Sequence, residues 1–335
     1  MIMAKSSSAP KAFTFPDRSR DAKTRPSSQV RNSRTMGISA ALASALFMGM
    51  TPVFGKQAIL FGAPPLAVVA MRSLLAALLL FFTLLLYNRR YLYIYPAGLL
   101  GCLLAGWTNG LGSLFYYNAL GRIDASVGHL IYSLYPFFLI PLLWLDHQPP
   151  GRLTLIRLVV AIPAMFLLTQ TKTGQIDLTG FVLMLVAAAL YALHIPINQR
   201  VLYDMPAPTV TLYTLAAMSA IVVPVYLFSG QGPVPVSFTA WEAILGLTAV
   251  TFLSRLMLFL GVKHLGGMQT ALLGLSELLV AILFSYVWLG ERLSNSQWIG
   301  AALLILSLLM VVFERASIRR TISSGWLSWL HTPGE

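Results

Sequence analysis

Three charged side chains stand inside long apolar stretches, where an ionisable group is costly and faces either a cavity or a partner: Arg72, Arg255 and Glu277. Arg255 and Glu277 each lie eleven positions from Gly266, about 16 Å along a helix at 1.5 Å per residue. If the chain turns at Gly266, the two charges share one depth on antiparallel neighbours. Two chemistries are then open. Opposite charges at matching depth can neutralise each other as a structural ion pair, or they can face a cavity and form a substrate or proton site. Arg72 stands seven residues into its stretch, close enough to an interface to snorkel, or to serve as an outer gate or anion contact. Arg157, near the start of another stretch, is expected to snorkel in the same way.

Neutral polar and aromatic residues occupy the third and fourth stretches. Asn109, Tyr116, His129 and Tyr132 are candidate substrate contacts, and the spacing of His129 and Tyr132 puts them on one helix face. A histidine so placed also reads as an ordinary hydrogen-bonded packing residue. Trp107, Tyr116, Tyr132 and Tyr191 could form an aromatic wall for an apolar side chain. Pro52 and Pro196 fall inside apolar stretches, where proline removes a backbone hydrogen bond and favours a kink. Kinks there suit rocking or gating. Gly106 and Gly110, with Gly112, permit close helix approach.

The elements that carry these residues follow from composition. The chain has 335 residues, 57% hydrophobic and 10% charged, against roughly a quarter charged in soluble domains. That balance argues against a soluble fold. Apolar stretches alternate with short polar or Gly/Pro breaks at about 36–58, 65–87, 95–120, 123–145, 152–169, 177–200, 207–228, 240–263, 268–289 and 296–313. At about 20 residues per crossing, these predict ten transmembrane helices. Residues 1–35 predict a disordered basic tail. In the tail at 314–335, Trp326, Leu327, Trp329 and Leu330 predict an interfacial anchor.

The net charge is +12, but eight of the 23 Lys and Arg lie in residues 1–35, and no basic folded patch with interleaved aromatics exists. Nucleic acid is therefore not an expected partner. Lys and Arg outside the stretches or near their ends, Arg200 among them, divide sixteen to four between the two faces. The excess predicts that both termini are cytoplasmic. The single cysteine, Cys102, excludes a disulfide framework and a thiolate zinc site. The five histidines are scattered and Glu277 is the lone carboxylate at depth, so no metal, cofactor or intramembrane enzyme is expected. No phosphate-binding loop is present, which argues against direct ATP drive.

The chain also matches itself. Ala45-Leu46-Phe47 through Pro52 and Lys56 aligns with Ala189-Leu190-Tyr191 through Pro196 and Arg200 at an offset of 144. Later matches fall at 142 and 140, and they pair Ser113 with Arg255 and Tyr135 with Glu277. The first five helices, 36–169, thus correspond to the last five, 177–313. Five is odd, so the copies cross the membrane in opposite senses. The expected fold is an all-α integral membrane protein of ten transmembrane helices in two inverted five-helix repeats, an arrangement found in secondary transporters.

Ala45 to Arg72, ALFMGMTPVFGKQAILFGAPPLAVVAMR, resembles the opening two helices of EamA-type proteins in the drug/metabolite transporter superfamily. Gly261 to Gly300, GVKHLGGMQTALLGLSELLVAILFSYVWLGERLSNSQWIG, resembles that family's closing segment, including the Gly290-Glu291-Arg292-Leu293 turn. The resemblance covers about residues 37–313. It implies carriage of small metabolites or amino acids, commonly outward. One departure is that Glu277-Leu278 stands where the family often has Glu-Pro, whereas the first repeat keeps a proline in Tyr135-Pro136. A proline break in the ninth helix is therefore not expected.

With one paired charge site, the expected function is secondary transport of a small neutral or zwitterionic metabolite such as an amino acid, by alternating access around a midplane cavity. An organic-anion or nucleotide-sugar exchanger of the same fold would be expected to need more unpaired Lys or Arg. A non-transporting scaffold is the third alternative. The expected partners are a small-molecule substrate and the lipid bilayer, and a homodimer is compatible with the sequence. The expected location is the cell (inner) membrane.

Overall fold

The computed structural model describes residues 27–120, 122, 131–168, 177–230, 232, 238–280, 283, 294–313 and 325–330. Each of the ten apolar stretches carries an α-helix: α1 Ser27–Leu60, α2 Pro65–Tyr87, α3 Pro96–Leu120, α4 Tyr135–Leu145, α5 Arg152–Leu168, α6 Leu178–Asp204, α7 Ala207–Phe228, α8 Phe238–Leu265, α9 Gly267–Gly274 and α10 Asn295–Leu309. Five of them, α2, α3, α6, α7 and α8, are long and apolar enough to cross a membrane. Shorter apolar helices include α4, α10 and α9 with its continuation to Val280.

The local signals act as their chemistry requires. Gly266 joins α8 to α9 at φ 87°, a left-handed geometry that favours glycine. This is the expected turn between Arg255 and Glu277. Ser294 opens α10 with a reciprocal capping box to Gln297. Asp177 caps α6 by accepting from the Thr179 N–H at 2.9 Å. That hydrogen bond, with help from Arg122 at 3.5 Å, holds its carboxyl below the usual carboxylate range. One boundary differs from expectation. Helix α1 starts at Ser27, inside the segment expected to be disordered, because Gln29, Arg31 and Arg34 favour helix. The Thr35 hydroxyl donates back to the Asn32 carbonyl.

The main interfaces run between the two halves. Helix α1 packs on α8 and α3 on α6; α3 packs on α7, and α8 on α2; α4 packs on α6, and α9 on α1. The pairs α2–α7 and α5–α10 complete the set. Exchanging the first five helices for the last five turns each of these pairs into another member of the set or into itself. Close approach relies on small residues, as it must where lipid offers no apolar driving force. A Cβ on Gly106 would stand 2.5 Å from the Thr214 carbonyl and from Ala217 Cβ of α7, and one on Gly112 would stand 3.2 Å from Leu190 Cβ of α6.

Arg157 does not snorkel. It is fully buried (0% exposed) between α5 and α10, where its Nε donates to the Ser307 carbonyl at 3.0 Å and its Nη1 to Gln269 Oε1 at 2.5 Å. Ser307 Oγ returns a bond to the Arg157 carbonyl at 2.9 Å. Partners on the neighbouring helices hold its Nε and Nη1 inside the bundle, so the side chain does not extend to the interface.

Candidate functional site

Two broken helices position the centre of the bundle. Residues 131–132 are helical, Ser133 and Leu134 form a turn, and α4 resumes at Tyr135. In the second half α9 ends at Gly274, Leu275 and Ser276 form a turn, and helix resumes over 277–280. Tyr135 and Glu277, matched at offset 142, are thus each the first residue after a break. The ninth helix has no proline break, as expected, yet it breaks by another route. Its N–H groups bond three residues back instead of four: Leu275 to Leu272 O at 3.3 Å, Ser276 to Leu273 O at 3.1 Å, Leu278 to Leu275 O at 3.1 Å. This is 3-10 geometry. It releases the Ala271 carbonyl, which a continuous α-helix would give to the Leu275 N–H. The Tyr135 hydroxyl donates to that carbonyl at 2.8 Å. Gly274 leaves the room, since a Cβ there would stand 2.8 Å from the Tyr135 oxygen. One break therefore caps the other across the two halves.

An aromatic row passes through this centre. Ring centroids lie 5.4 Å apart for Tyr117–Tyr116, 4.9 Å for Tyr116–Tyr132, 5.2 Å for Tyr132–Tyr191 and 4.8 Å for Tyr135–Tyr191. His194 continues the row at 4.6 Å from Tyr191, and Phe259 follows at 6.5 Å. A guanidinium sits at two points of the row. Arg255 lies over Tyr191 at 5.5 Å and Arg72 over Tyr117 at 5.8 Å, within cation–π range. Glu277 is 4% exposed and within electrostatic reach of Arg255, Tyr116, Tyr132, Tyr135 and Tyr191. The rings come from α3, from α4 and the helical residues before its break, from α6 and, for Phe259, from α8, which also carries Arg255. Both halves build the cluster.

Several polar atoms in the row have no hydrogen-bond partner among the described residues: Arg255 Nη1, Arg72 Nε and His194 Nε2. His194 Nδ1 contacts the Tyr191 carbonyl. A ring nitrogen facing a carbonyl must carry the proton, which assigns Nε2 as a bare acceptor in the neutral ring.

A second polar group lies where α4 and α6 end. Asp146 accepts from Arg200 twice, Nε to Oδ2 and Nη2 to Oδ1, both at 2.8 Å, with both side chains almost fully buried, at 1% and 2% exposed. Gln148 donates to Asp146 Oδ2 at 2.9 Å and accepts from Gln199 Nε2 at 2.7 Å. Gln199 Oε1 in turn accepts from the Gly267 N–H at 2.6 Å. The network ties α4 of one half to α6 and α9 of the other. From sequence Arg200 counts among the topology charges, because the apolar stretch stops there. The helix instead continues to Asp204 and buries it.

Of the residues singled out from sequence, the structure brings together Arg255, Glu277, Tyr116, Tyr132 and Tyr191, with Arg72 at the far side of Tyr117. Trp107 is 41% exposed and Asn109 turns to Met218 of α7, its Nδ2 3.5 Å from the sulfur. Neither joins the row. Pro196 is buried within α6, and α1 runs through position 52 as helix. His129 lies outside the described residues, as does the 290–293 turn. Tyr135, His194 and Phe259 were not anticipated. The equivalence of Tyr135 with Glu277, and the helical spacings of His194 with Tyr191 and of Phe259 with Arg255, are the signals that could have found them. Residues 325–330, where an interfacial anchor is expected, bury Leu327 and Leu330 in the protein and leave Trp326 and Trp329 partly exposed. Among the described residues no group of His, Cys, Asp and Glu could hold a metal ion.

The sequence model of the EamA-like transporter family matches this chain twice, over residues 35–170 and 178–313. An uncharacterized transporter of Archaeoglobus fulgidus is 26% identical over 198 residues, which cover 58% of this chain and 70% of that protein. A solved crystal structure, 14% identical, superposes with a TM-score of 0.69 over 84% of this chain and 97% of that chain. At that identity the likeness shows the fold alone.

Proposed function

The chain belongs to the EamA-like transporter family, and from that premise we propose that it is a secondary transporter that exports a small neutral or zwitterionic metabolite such as an amino acid. In this reading ten helices cross the cell membrane as two inverted repeats, and both termini are cytoplasmic. Substrate sits between the repeats and the halves rock around it, with the proline-bearing helices α1 and α6 bending. The observation that carries the reading is one cation and one carboxylate beside an unbroken row of rings built by both halves. A zwitterion brings the complement of each. Its carboxylate meets the free Nη1 of Arg255, its ammonium turns toward Glu277, and its apolar body lies on Tyr116, Tyr132 and Tyr191. Arg72 contacts the substrate on the way out.

The second reading, an organic-anion exchanger, is favoured by Arg255 Nη1 and Arg72 Nε, guanidinium atoms of the aromatic row that have no hydrogen-bond partner among the described residues. Counterflow uptake into proteoliposomes separates the readings, with a panel of amino acids, other small amines, organic acids and sugar nucleotides. Exchange of a neutral or zwitterionic solute is expected. Exchange confined to anions would promote the second reading, and no exchange of any solute would sink both.

A further inference from the structure

The end of the bundle where α4 and α6 terminate is closed twice, first by the Asp146–Arg200 pair and then by the chain's own C-terminal segment. Residues 325–330 lie directly over the pair. Gly325 adopts φ +98° and comes so close that a Cβ would stand 2.7 Å from Asp146 Oδ1 and 2.9 Å from its Cα. The next residue, Trp326, donates its indole N–H to the Leu142 carbonyl at 3.2 Å. That carbonyl is in the last turn of α4. Leu327 and Leu330 are buried with Tyr95, Cys102, Ala105, Val201 and Leu202. Leu330 also fills the space over Gly101, where a Cβ would stand 2.8 Å from its Cδ2. Six residues thus touch α3 and α4 of the first half and α6 of the second.

We infer that residues 325–330 are a strap that holds this end of the transporter closed and must lift before substrate passes through it. Opening here requires α4 and α6 to separate, since their ends are joined through Asp146 and Arg200. A segment seated on both helices opposes that separation. Among the described residues its hold is one indole hydrogen bond and two leucine side chains, fewer ties than the charged network beneath it has, so the strap is the layer that lifts first. Trp326 and Trp329 are 37% and 41% exposed. Once lifted, the same tryptophans and leucines suit a membrane–water interface, which gives the released strap somewhere to go. The gating role rests on the transport reading above; the covering of this end does not.

Cys102, the chain's single cysteine, is fully buried in the same apolar cluster as Leu327 and Leu330, so its reactivity reads the opening of that cluster. The experiment compares maleimide labelling of Cys102 and solute counterflow in three full-length proteins: unmodified, Leu327→Asp with Leu330→Asp, and Gly325→Val, each checked for monodisperse elution. The Gly325→Val variant disturbs the strap by backbone strain and a clash with Asp146, without placing new charge in the groove. Lifting the strap is expected to raise the Cys102 labelling rate by roughly tenfold or more in both variants, as local opening does for a buried group, and to speed counterflow. Labelling within about twofold of the unmodified protein would overturn the strap, and so would faster labelling with unchanged counterflow. Faster labelling in proteins that all fail to exchange any solute would overturn the transport reading instead and uphold the covering.

Discussion

The α4/α6 end and the centre of the bundle both bury an arginine with an acidic residue nearby, yet they treat the charge differently. At the end, the Asp146 carboxylate accepts twice from Arg200 and again from Gln148, and Gln199 carries the network on to the Gly267 N–H. In the centre, Arg255 rests on the face of Tyr191 with Nη1 unpartnered, and His194 Nε2 and Arg72 Nε are likewise open among the described residues. Buried polar groups ordinarily find partners, and a native exception calls for a physical explanation. A charge whose bonds are filled from within holds helices together. One with a donor left over can accept a ligand.

The contrast breaks or sharpens under substitution. The largest effect belongs to the α4/α6 end, where Arg200→Leu strands the Asp146 carboxylate and should cost about 3–5 kcal/mol, read as thermal unfolding in detergent. Combining Arg200→Leu with Asp146→Leu should recover most of that loss. A single variant as stable as the unmodified protein would remove the distinction between the regions. Next come Arg255→Gln and Glu277→Gln, which keep shape and remove charge. Each should weaken half-saturation of transport roughly tenfold to a hundredfold, from a charge-assisted contact of about 1.5–3 kcal/mol, while unfolding barely moves. Collapse of the fold in either variant would make the centre structural.

A smaller effect is expected at Tyr191. Tyr191→Leu should lose the ring beneath Arg255, about 0.5–2 kcal/mol, and weaken substrate affinity by a few-fold. Tyr191→Phe keeps the ring and should transport normally. Equal loss in both variants would assign the effect to the hydroxyl instead. The smallest effect lies outside both regions, at the exposed cap Asp177. Its carboxyl is held below the ordinary value, so its contribution is present above that value and fades as pH falls through the lowered one. Asp177→Asn keeps a capping acceptor and should remove only this acid limb, compared by unfolding at neutral and at acid pH.

Much of the fold was legible because hydropathy marks where helices lie and Gly266 marks where one of them turns back. Arg255 and Glu277 were legible because a charge inside an apolar stretch stands out. The Asp146–Arg200 pair was not. Its members lie 54 positions apart at the ends of two apolar stretches, where charged residues are ordinary. Arg157 misled for the same reason, since proximity to a helix start says nothing about Ser307, 150 residues on. The break in the ninth helix was hidden because no residue type enforces it. It arises from 3-10 hydrogen bonding and from a tyrosine supplied by the other half.

The two breaks differ by one hydrogen atom. Pro136 has no N–H to give the Tyr132 carbonyl, so no exchange of hydrogen bonds can complete the helix ladder across the bend before α4. Leu278, its counterpart at offset 142, keeps an N–H now bonded to Leu275, and that bond can pass to the Gly274 carbonyl if Tyr135 lets go of Ala271. One half therefore carries a bend whose missing hydrogen bond cannot be restored and the other a bend that can straighten and re-form. The repeat is symmetric in its pairings and unequal in its compliance, which makes the two directions of motion mechanically distinct.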